Sequence, residues 1–442
     1  MAMRFGTSGD GTEGCTTADE DAFSAWLAEN GATYPKIEWP TRETVGGVRG
    51  TTARADIASN EKDMLRIPLK LMMAPPTTEA SAEFGEVMRA YHIVPRGSML
   101  ALTVFLLLEK VLKRESSFWW PYVRMLPHPG TTLDWNAAEL VELQDETVHS
   151  ESQRMRAQHA QKFVVVFEKL RERFGSIFGA TVAESERLGF TSEEWEWCAM
   201  NVQARCFGRR LPWLALVPFA DSLNHANVAT KYDFDTESNG CFRLFPVGTN
   251  SYAAGSEVFN SYGRRDNRHL LVHYGFAMEG NEHDTLTMRV AVHECARVPR
   301  ASVEEGGAGW TSTMISKRAE RYRLLSRRGV CHHGRLTMRL RTGLFAADML
   351  DLCRVAVMSD DDVVAALRGP GAEEGGAGAG AGGAAAAQGV AGDLASERDA
   401  IAVAIIVFER ELAQFATTLA EDEALLGVRT TRPCALRAAC FV

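Results

Sequence analysis

Two short blocks of this chain gather the residue types that bind and orient a polar ligand. They are Pro218-Phe-Ala-Asp-Ser-Leu-Asn-His225, and Glu257-Val-Phe-Asn-Ser-Tyr-Gly263 running on to Tyr274-Gly-Phe276. In the first, an apolar approach and a turn-forming Asp221-Ser222 lead to Asn224-His225, adjacent residues that offer side-chain and backbone hydrogen bonds at one place. In the second, Val258 and Phe259 read as a buried strand ending at a sharp turn, with the phenol of Tyr262 presented where the strand stops. Each feature also has a plainer reading. Asn224-His225 can be a loop with satisfied amides, and Tyr262 a core aromatic with its hydroxyl on a backbone carbonyl.

The scaffold that must position these residues is mixed. At 442 residues the chain is too long for one ordinary core and suggests two or three domains. Residues 1–19 are Gly- and Thr-rich and are expected to form a disordered tail, after which Asp21 can cap a short helix bearing Phe23, Trp26 and Leu27. Gly46-Gly47 and Thr51-Thr52 bound short β segments, and Asp56-Ile57 to Leu65-Ile67 reads as strand, turn, strand. From Glu79 to Arg205 the apolar spacing turns helical, through Leu100, Val104, Leu107 and Leu108, and later Phe163, Val166, Phe167 and Leu170. Short β segments return between Leu214 and Leu286, punctuated by Gly240, Gly248 and Gly255. Beyond about residue 300 helices resume, one with Leu344, Met349, Leu350 and Leu352, and a last amphipathic one with Ile401, Ile405, Phe408, Leu412 and Phe415. Between them the Gly/Ala-rich stretch 369–392 has few large apolar groups to offset ordering entropy and is expected to be a mobile loop.

Composition removes several function classes. With 48 Lys plus Arg against 57 Asp plus Glu, the net charge of -9 argues against a general nucleic-acid binder and favours basic partners. Nine scattered cysteines form no CxxC pair, which points to free thiols in a reducing compartment. Cys331-His332-His333 lacks a second ligand pair at metal spacing, so no metal site is expected. The run Met99–Leu108 is far shorter than the ~20 residues of a bilayer span and reads as a buried helix. The acidic N-terminal segment disfavours a targeting peptide, so the cytoplasm or nucleus is expected, with a chloroplast open if the start is incomplete. Gly378-Ala-Gly380-Ala-Gly382-Gly383 satisfies GxGxxG, but no strand precedes it, which speaks against a dinucleotide site.

The order Asn224-His225, a Glu257-Val-Phe segment, Ser261-Tyr-Gly263, Asn267 and Tyr274-Gly-Phe276 resembles the SET-domain methyltransferases of the Rubisco large-subunit methyltransferase type. Phe23-Ser-Ala-Trp-Leu27, Gly50 through Ala53 to Ile57, and Ile67-Pro68 are similar to that family's opening segment. Ser117-Phe-Trp-Trp-Pro-Tyr122 with Leu126-Pro127, and Phe190-Thr-Ser-Glu-Glu-Trp195 leading to Arg205-Cys-Phe207, are similar to its helical insert.

The resemblance implies an α+β fold. A β-rich SET domain of short strands would occupy residues 20–78 and 206–288, interrupted by a helical insert over 79–205. An all-α substrate-binding-like domain would follow over 300–442. It implies S-adenosylmethionine as cofactor and a protein substrate, with a lysine side chain as acceptor, no nucleic acid, no membrane and a monomer. Residue by residue, Tyr262 would be the catalytic phenol beside the transferring methyl, and Tyr274 and Phe276 would wall the lysine channel. Gly50, Arg205, Asn224, His225 and Tyr262 would bind the cofactor, with the Arg205 guanidinium on the cofactor's carboxylate. Two departures stand out: Val48-Arg49-Gly50 replaces the family's Gly-x-Gly, and Arg268-His269 stands where an Ala-Glu pair is common. Asn281-Glu-His283-Asp284 resembles the branch that methylates a histidine of actin, so histidine is an alternative acceptor. A catalytically weak relative acting as a protein-binding module is the alternative outside enzymology, with Val48 as its motive.

Overall fold

The structure, a computed structural model, describes residues 2–4, 15–41, 48–237, 240–291, 318–327, 335–340, 347–368, 394–413, 415–418 and 420–421. Contacts within the chain divide it into two units, with the break between His283 and Asp284.

The first unit is built from short antiparallel pairs and a block of helices. Strand β1 (Ala2–Arg4) pairs with β7 (Phe276–Met278), β2 (Ile37–Thr41) with β3 (Gly50–Ala53), and β6 (Cys241–Pro246) lies between β4 (Leu65–Pro68) and β5 (Thr230–Asp235). On β6 the side chains of Phe242 and Leu244 are fully buried, and they meet Ile67 and Leu65 across the ladder. The expected tail over 1–19 is corrected only where residues are described, by the β1 pairing at 2–4 and by the first helix from Thr17, while 5–14 lie outside the described residues. Thr17–Glu29 is helical, capped by Thr16 rather than Asp21, with Asp19 returning the bond to the Thr16 N–H. Phe23, Trp26 and Leu27 are its buried face, as the spacing predicts.

The helical stretch expected from Glu79 to Arg205 contains the helices Met99–Leu108, Trp120–Met125, Glu146–Phe178 and Ser192–Arg205. Met99–Leu108 is buried all round from Ala101 onward, which explains its uninterrupted apolar sequence. Phe167 holds the later helices together, with Phe178, Phe190 and Trp195 all within 5.8 Å of its ring centroid. Ser192–Arg205 is started by the Thr191 cap and ends on Arg205, so the packed helix delivers that guanidinium to a fixed place.

The second unit holds helices Arg318–Arg327, Ala347–Val357, Asp360–Arg368 and Leu394–Leu412. It also holds β8 (Leu286–Ala291) paired along its length with β9 (Arg335–Leu340), so this region is helical with a two-stranded ladder rather than all-α. The last helix turns a different face inward than its spacing suggests. Ala400, Val403, Ala404 and Val407 are buried, whereas Ile401, Ile405, Leu412 and Phe415 are exposed. The smaller side chains allow close packing against Ala347–Val357, which carries Leu352, Cys353 and Val355 in the same cluster. Gly46-Gly47, Cys331-His332-His333, Leu344 and the 369–392 stretch with its GxGxxG lie outside the described residues.

No group of three His, Cys, Asp or Glu able to hold a metal occurs among the described residues, and none of their helices is long and apolar enough to cross a membrane. Cys15, Cys198, Cys206 and Cys241 are free thiols.

Candidate functional site

The segment Asp221–His225 is the hub on which the site is assembled. It begins inside a single 3-10 turn, Ala220–Ser222, entered through Phe219 at φ +71. A positive φ of this kind is sparsely populated by L side chains and costs on the order of 1–3 kcal/mol. The fully buried ring is held in place by stacking on Tyr34 with centroids 3.9 Å apart, and by an edge contact with Trp39. The strained turn therefore aims Asp221–His225 away from the apolar approach.

Asn260 binds this segment from the second block. Its N–H donates to the Asn224 carbonyl at 2.8 Å and its carbonyl accepts from the Ala226 N–H at 3.3 Å. In this parallel bridge the N–H and C=O of His225 itself point away from Asn260, and they bond to no described residue. The expected strand at Val258-Phe259 is corrected here: Glu257 and Asn260 are isolated bridge residues, to Thr52 and His225, with no continuous ladder between them. Their positions are fixed instead by Val258, which exchanges bonds with Thr51 at 2.9 Å, and by the Tyr252 hydroxyl on the Phe259 carbonyl at 2.6 Å.

Tyr262 and His225 are locked to each other. The Tyr262 N–H donates to His225 Nδ1 at 3.1 Å and the rings stack with centroids 4.9 Å apart. Nδ1 must then be the acceptor, so the ring proton sits on Nε2, and the 3.3 Å approach of Nδ1 to the Asn260 carbonyl is a contact without a proton between. Nε2 is buried without a partner among the described residues. Burial lowers His225 to about 4, which keeps it neutral. The Tyr262 hydroxyl donates to the Leu223 carbonyl at 2.9 Å. Gly263 at φ +106 makes the sharp turn after Tyr262 that the sequence predicts. Tyr274 lies 5.0 Å from the Tyr262 ring centroid and Phe276 6.2 Å, while Tyr274 and Phe276 stand 6.3 Å apart. The three aromatics are thus one cluster, partly open at Tyr262 and Tyr274 and closed at Phe276. Burial pushes the Tyr274 hydroxyl up to about 12.

Arg205 reaches the same segment from the helix end. Its Nη1 donates to the Asp221 carbonyl at 3.0 Å and meets the Asp221 carboxylate at 3.3 Å, while Nε and Nη2 bond to no described residue. Asn224 Nδ2 donates to Glu257 Oε1 at 2.8 Å and approaches the Arg49 carbonyl at 3.4 Å, while Asn224 Oδ1 is buried without a partner among the described residues. Gly50 begins β3 opposite Thr41, and the unusual Arg49 beside it turns its side chain away from Asn224. That guanidinium donates to the Met125 carbonyl at 2.7 Å, stands 3.7 Å from Glu20 and lies over Trp39. The other departure is equally settled, since Arg268 pairs with Asp145 at 2.9 Å.

No family model matches the chain. Among curated proteins it is 26% identical over 365 residues to the actin-histidine N-methyltransferase of Callithrix jacchus, and 25% over the same length to that of Homo sapiens. These alignments cover 78% of this chain and 54% of each relative, so the chain spans about half the length of the curated relatives it matches. Among solved structures, Rubisco LSMT bound to sinefungin and monomethyllysine superposes with a TM-score of 0.62 at 19% identity, covering 96% of this chain and 88% of that one. The SET domain of LSMT bound to lysine and AdoHcy gives 0.61 at 18% identity, with the same coverage. The fold is that of the SET-domain, Rubisco LSMT type.

Within this SET fold, Arg205, Asn224, His225, Tyr262, Tyr274 and Phe276 converge on one place, with Gly50 joined through the neighbouring Arg49 carbonyl. Sequence reasoning missed three contributors. Asp221 was read only as a turn former, Glu257 only as the start of a strand, and Tyr122 only as part of a family likeness. Tyr122 donates its hydroxyl to Asp221 Oδ2 at 2.9 Å from 99 positions away, a pairing for which no local signal exists.

Proposed function

We propose that this chain is an S-adenosylmethionine-dependent protein N-methyltransferase acting on a lysine side chain. The observation that carries the reading is the convergence of the Tyr262 hydroxyl, the unpartnered Asn224 Oδ1 and the free edge of Arg205 on the segment Asp221–His225. The residues suit such a cofactor. Asn224 Oδ1 is a buried acceptor for an ammonium, Arg205 Nε and Nη2 form a fork that matches a carboxylate, and the free N–H and C=O of His225 suit the edge of a purine. When bound, the cofactor supplies a methyl group on a positively charged sulfur.

The residues of the chain do the rest by placement. Tyr262 is pinned at both ends, by its N–H on His225 and its hydroxyl on Leu223, so its phenol cannot drift. Holding reacting groups at near-attack distance can contribute several kcal/mol without acid or base. Tyr274 and Phe276 add aromatic walls that exclude water and favour a neutral amine over an ammonium whose usual value lies near 10.4. Neutral His225 serves as a support for Tyr262, not as a base.

A second reading, methylation of a histidine, is supported by the relatives named actin-histidine N-methyltransferases. An imidazole arrives largely neutral at pH 7 and would need no deprotonation in the channel. Incubating the protein with labelled cofactor and a cell extract, followed by mass spectrometry of the modified residue, decides between them. Methyl-lysine supports the first reading and methyl-histidine the second. Labelling unchanged in Tyr262→Phe removes the role of Tyr262. A binding module without catalysis would show no cofactor binding at millimolar concentration by calorimetry.

A further inference from the structure

Tyr122, Asp221 and Arg205 form a buried chain of three side chains drawn from three elements. Tyr122 comes from the helix Trp120–Met125 and is 1% exposed, Asp221 from the 3-10 turn, and Arg205 from the end of Ser192–Arg205. Asp221 Oδ2 accepts from the Tyr122 hydroxyl at 2.9 Å and from Arg205 Nη1 at 3.3 Å, and the Asp221 carbonyl takes a second bond from the same Nη1 at 3.0 Å. Burial raises the Asp221 carboxyl, against the pull of Arg205, and raises Tyr122 well above its ordinary range, so the phenol remains a proton donor.

The way this pair is made is informative. An arginine that serves only to neutralise a buried aspartate usually does so with two parallel bonds, fork to fork. Here both bonds from Arg205 use one nitrogen, and the two-nitrogen edge Nε–Nη2 is left over among the described residues. Burying an ion pair seldom adds stability by itself, so a pair held in this incomplete way calls for another purpose.

We propose that Tyr122 and Asp221 are positioning residues for Arg205, holding the guanidinium by its Nη1 corner so that the Nε–Nη2 edge is free to take the carboxylate of an amino-acid-bearing nucleoside. This rests on the cofactor reading above. Tyr122 fixes the carboxylate rotamer of Asp221, Asp221 fixes the guanidinium, and the ordering is done before any ligand arrives.

The test compares two nucleosides by calorimetry, S-adenosylhomocysteine, which carries the amino-acid end, and 5′-methylthioadenosine, which lacks it. Tyr122→Phe keeps the ring and removes the hydroxyl; Asp221→Asn keeps the shape and removes the charge. Each variant should weaken S-adenosylhomocysteine by about tenfold and change 5′-methylthioadenosine less than twofold. A merely structural role would weaken both nucleosides together, and that result, or no change in either, overturns the proposal. Two variants of different chemistry, with melting curves recorded alongside, separate loss of folding from loss of selectivity. A wild-type protein that binds neither nucleoside would bring down the cofactor reading and this one with it. Wild-type binding with unselective variants brings down this one alone.

Discussion

The backbone N–H of Tyr262 is bonded to Nδ1 of His225 at 3.1 Å, and the phenol and imidazole rings lie nearly parallel, 19° apart. This relationship requires an unprotonated Nδ1 and therefore ties the placement of the phenol to the charge state of one buried ring.

A pH dependence follows. His225 has its value lowered by burial from 6.5 to about 4, so the unfolded chain takes up a proton on this ring before the folded protein does. Its contribution to stability is complete above about pH 6.5, declines as the pH falls from there toward 4, and can reach the order of 3 kcal/mol. His269, also lowered to about 4 by burial, acts in the same direction. Urea unfolding at pH 7 and pH 5 should show the loss, and His225→Gln should flatten the slope. A wild-type stability that is level across this window would contradict the buried neutral ring.

Tyr262→Phe removes the bond to the Leu223 carbonyl while keeping the aromatic cluster. The expected cost in stability is about 1 kcal/mol. Methyl transfer should fall by roughly a hundredfold, because a small loss of placement is amplified in the rate. Radiolabel incorporation and thermal melts on the same preparation separate the two effects.

Asn224→Ala takes away both the Glu257 partner and the unpartnered Oδ1. S-adenosylhomocysteine binding should weaken by at least about tenfold, in line with a lost bond to a charged group. Calorimetry at constant ionic strength reads this directly.

Gly275→Ala tests the turn that separates Tyr274 from Phe276. Gly275 stands at φ +77, ending the helix Asn267–Tyr274, and an added Cβ would collide with the Pro129 carbonyl. The left-handed backbone and the clash together should lower stability by about 2–4 kcal/mol. The Tyr274 and Phe276 walls would shift with it, so both the melting temperature and the methylation rate should drop.

Much of this was legible along the chain. The mixed fold with its helical stretch followed from periodicity, and the blocks around Asn224-His225 and Tyr262 stood out because turn formers, amides and aromatics rarely crowd so closely. The buried helix Met99–Leu108 was equally plain, because a segment apolar on every side has only an interior to occupy. Other features depended on partners. Thr16 rather than Asp21 caps the first helix, since either residue type can cap and the surrounding packing chooses. In the last helix, Ile401 and Ile405 looked like the inward face until Ala400, Val403, Ala404 and Val407 were found packed there.

The amino-acid order by itself determined which residue types were available for chemistry and in what local conformations, because helix periods, caps and turns are written in neighbours a few positions apart. Only the tertiary structure decided which of them meet. It put Tyr122 on Asp221 across 99 positions, left one edge of Arg205 and one oxygen of Asn224 unbonded among the described residues, and turned the Arg49 side chain onto Met125 and Trp39. Such pairings depend on how whole elements pack, and a hydrogen bond that closes a loop of that length leaves no trace in the spacing of the chain.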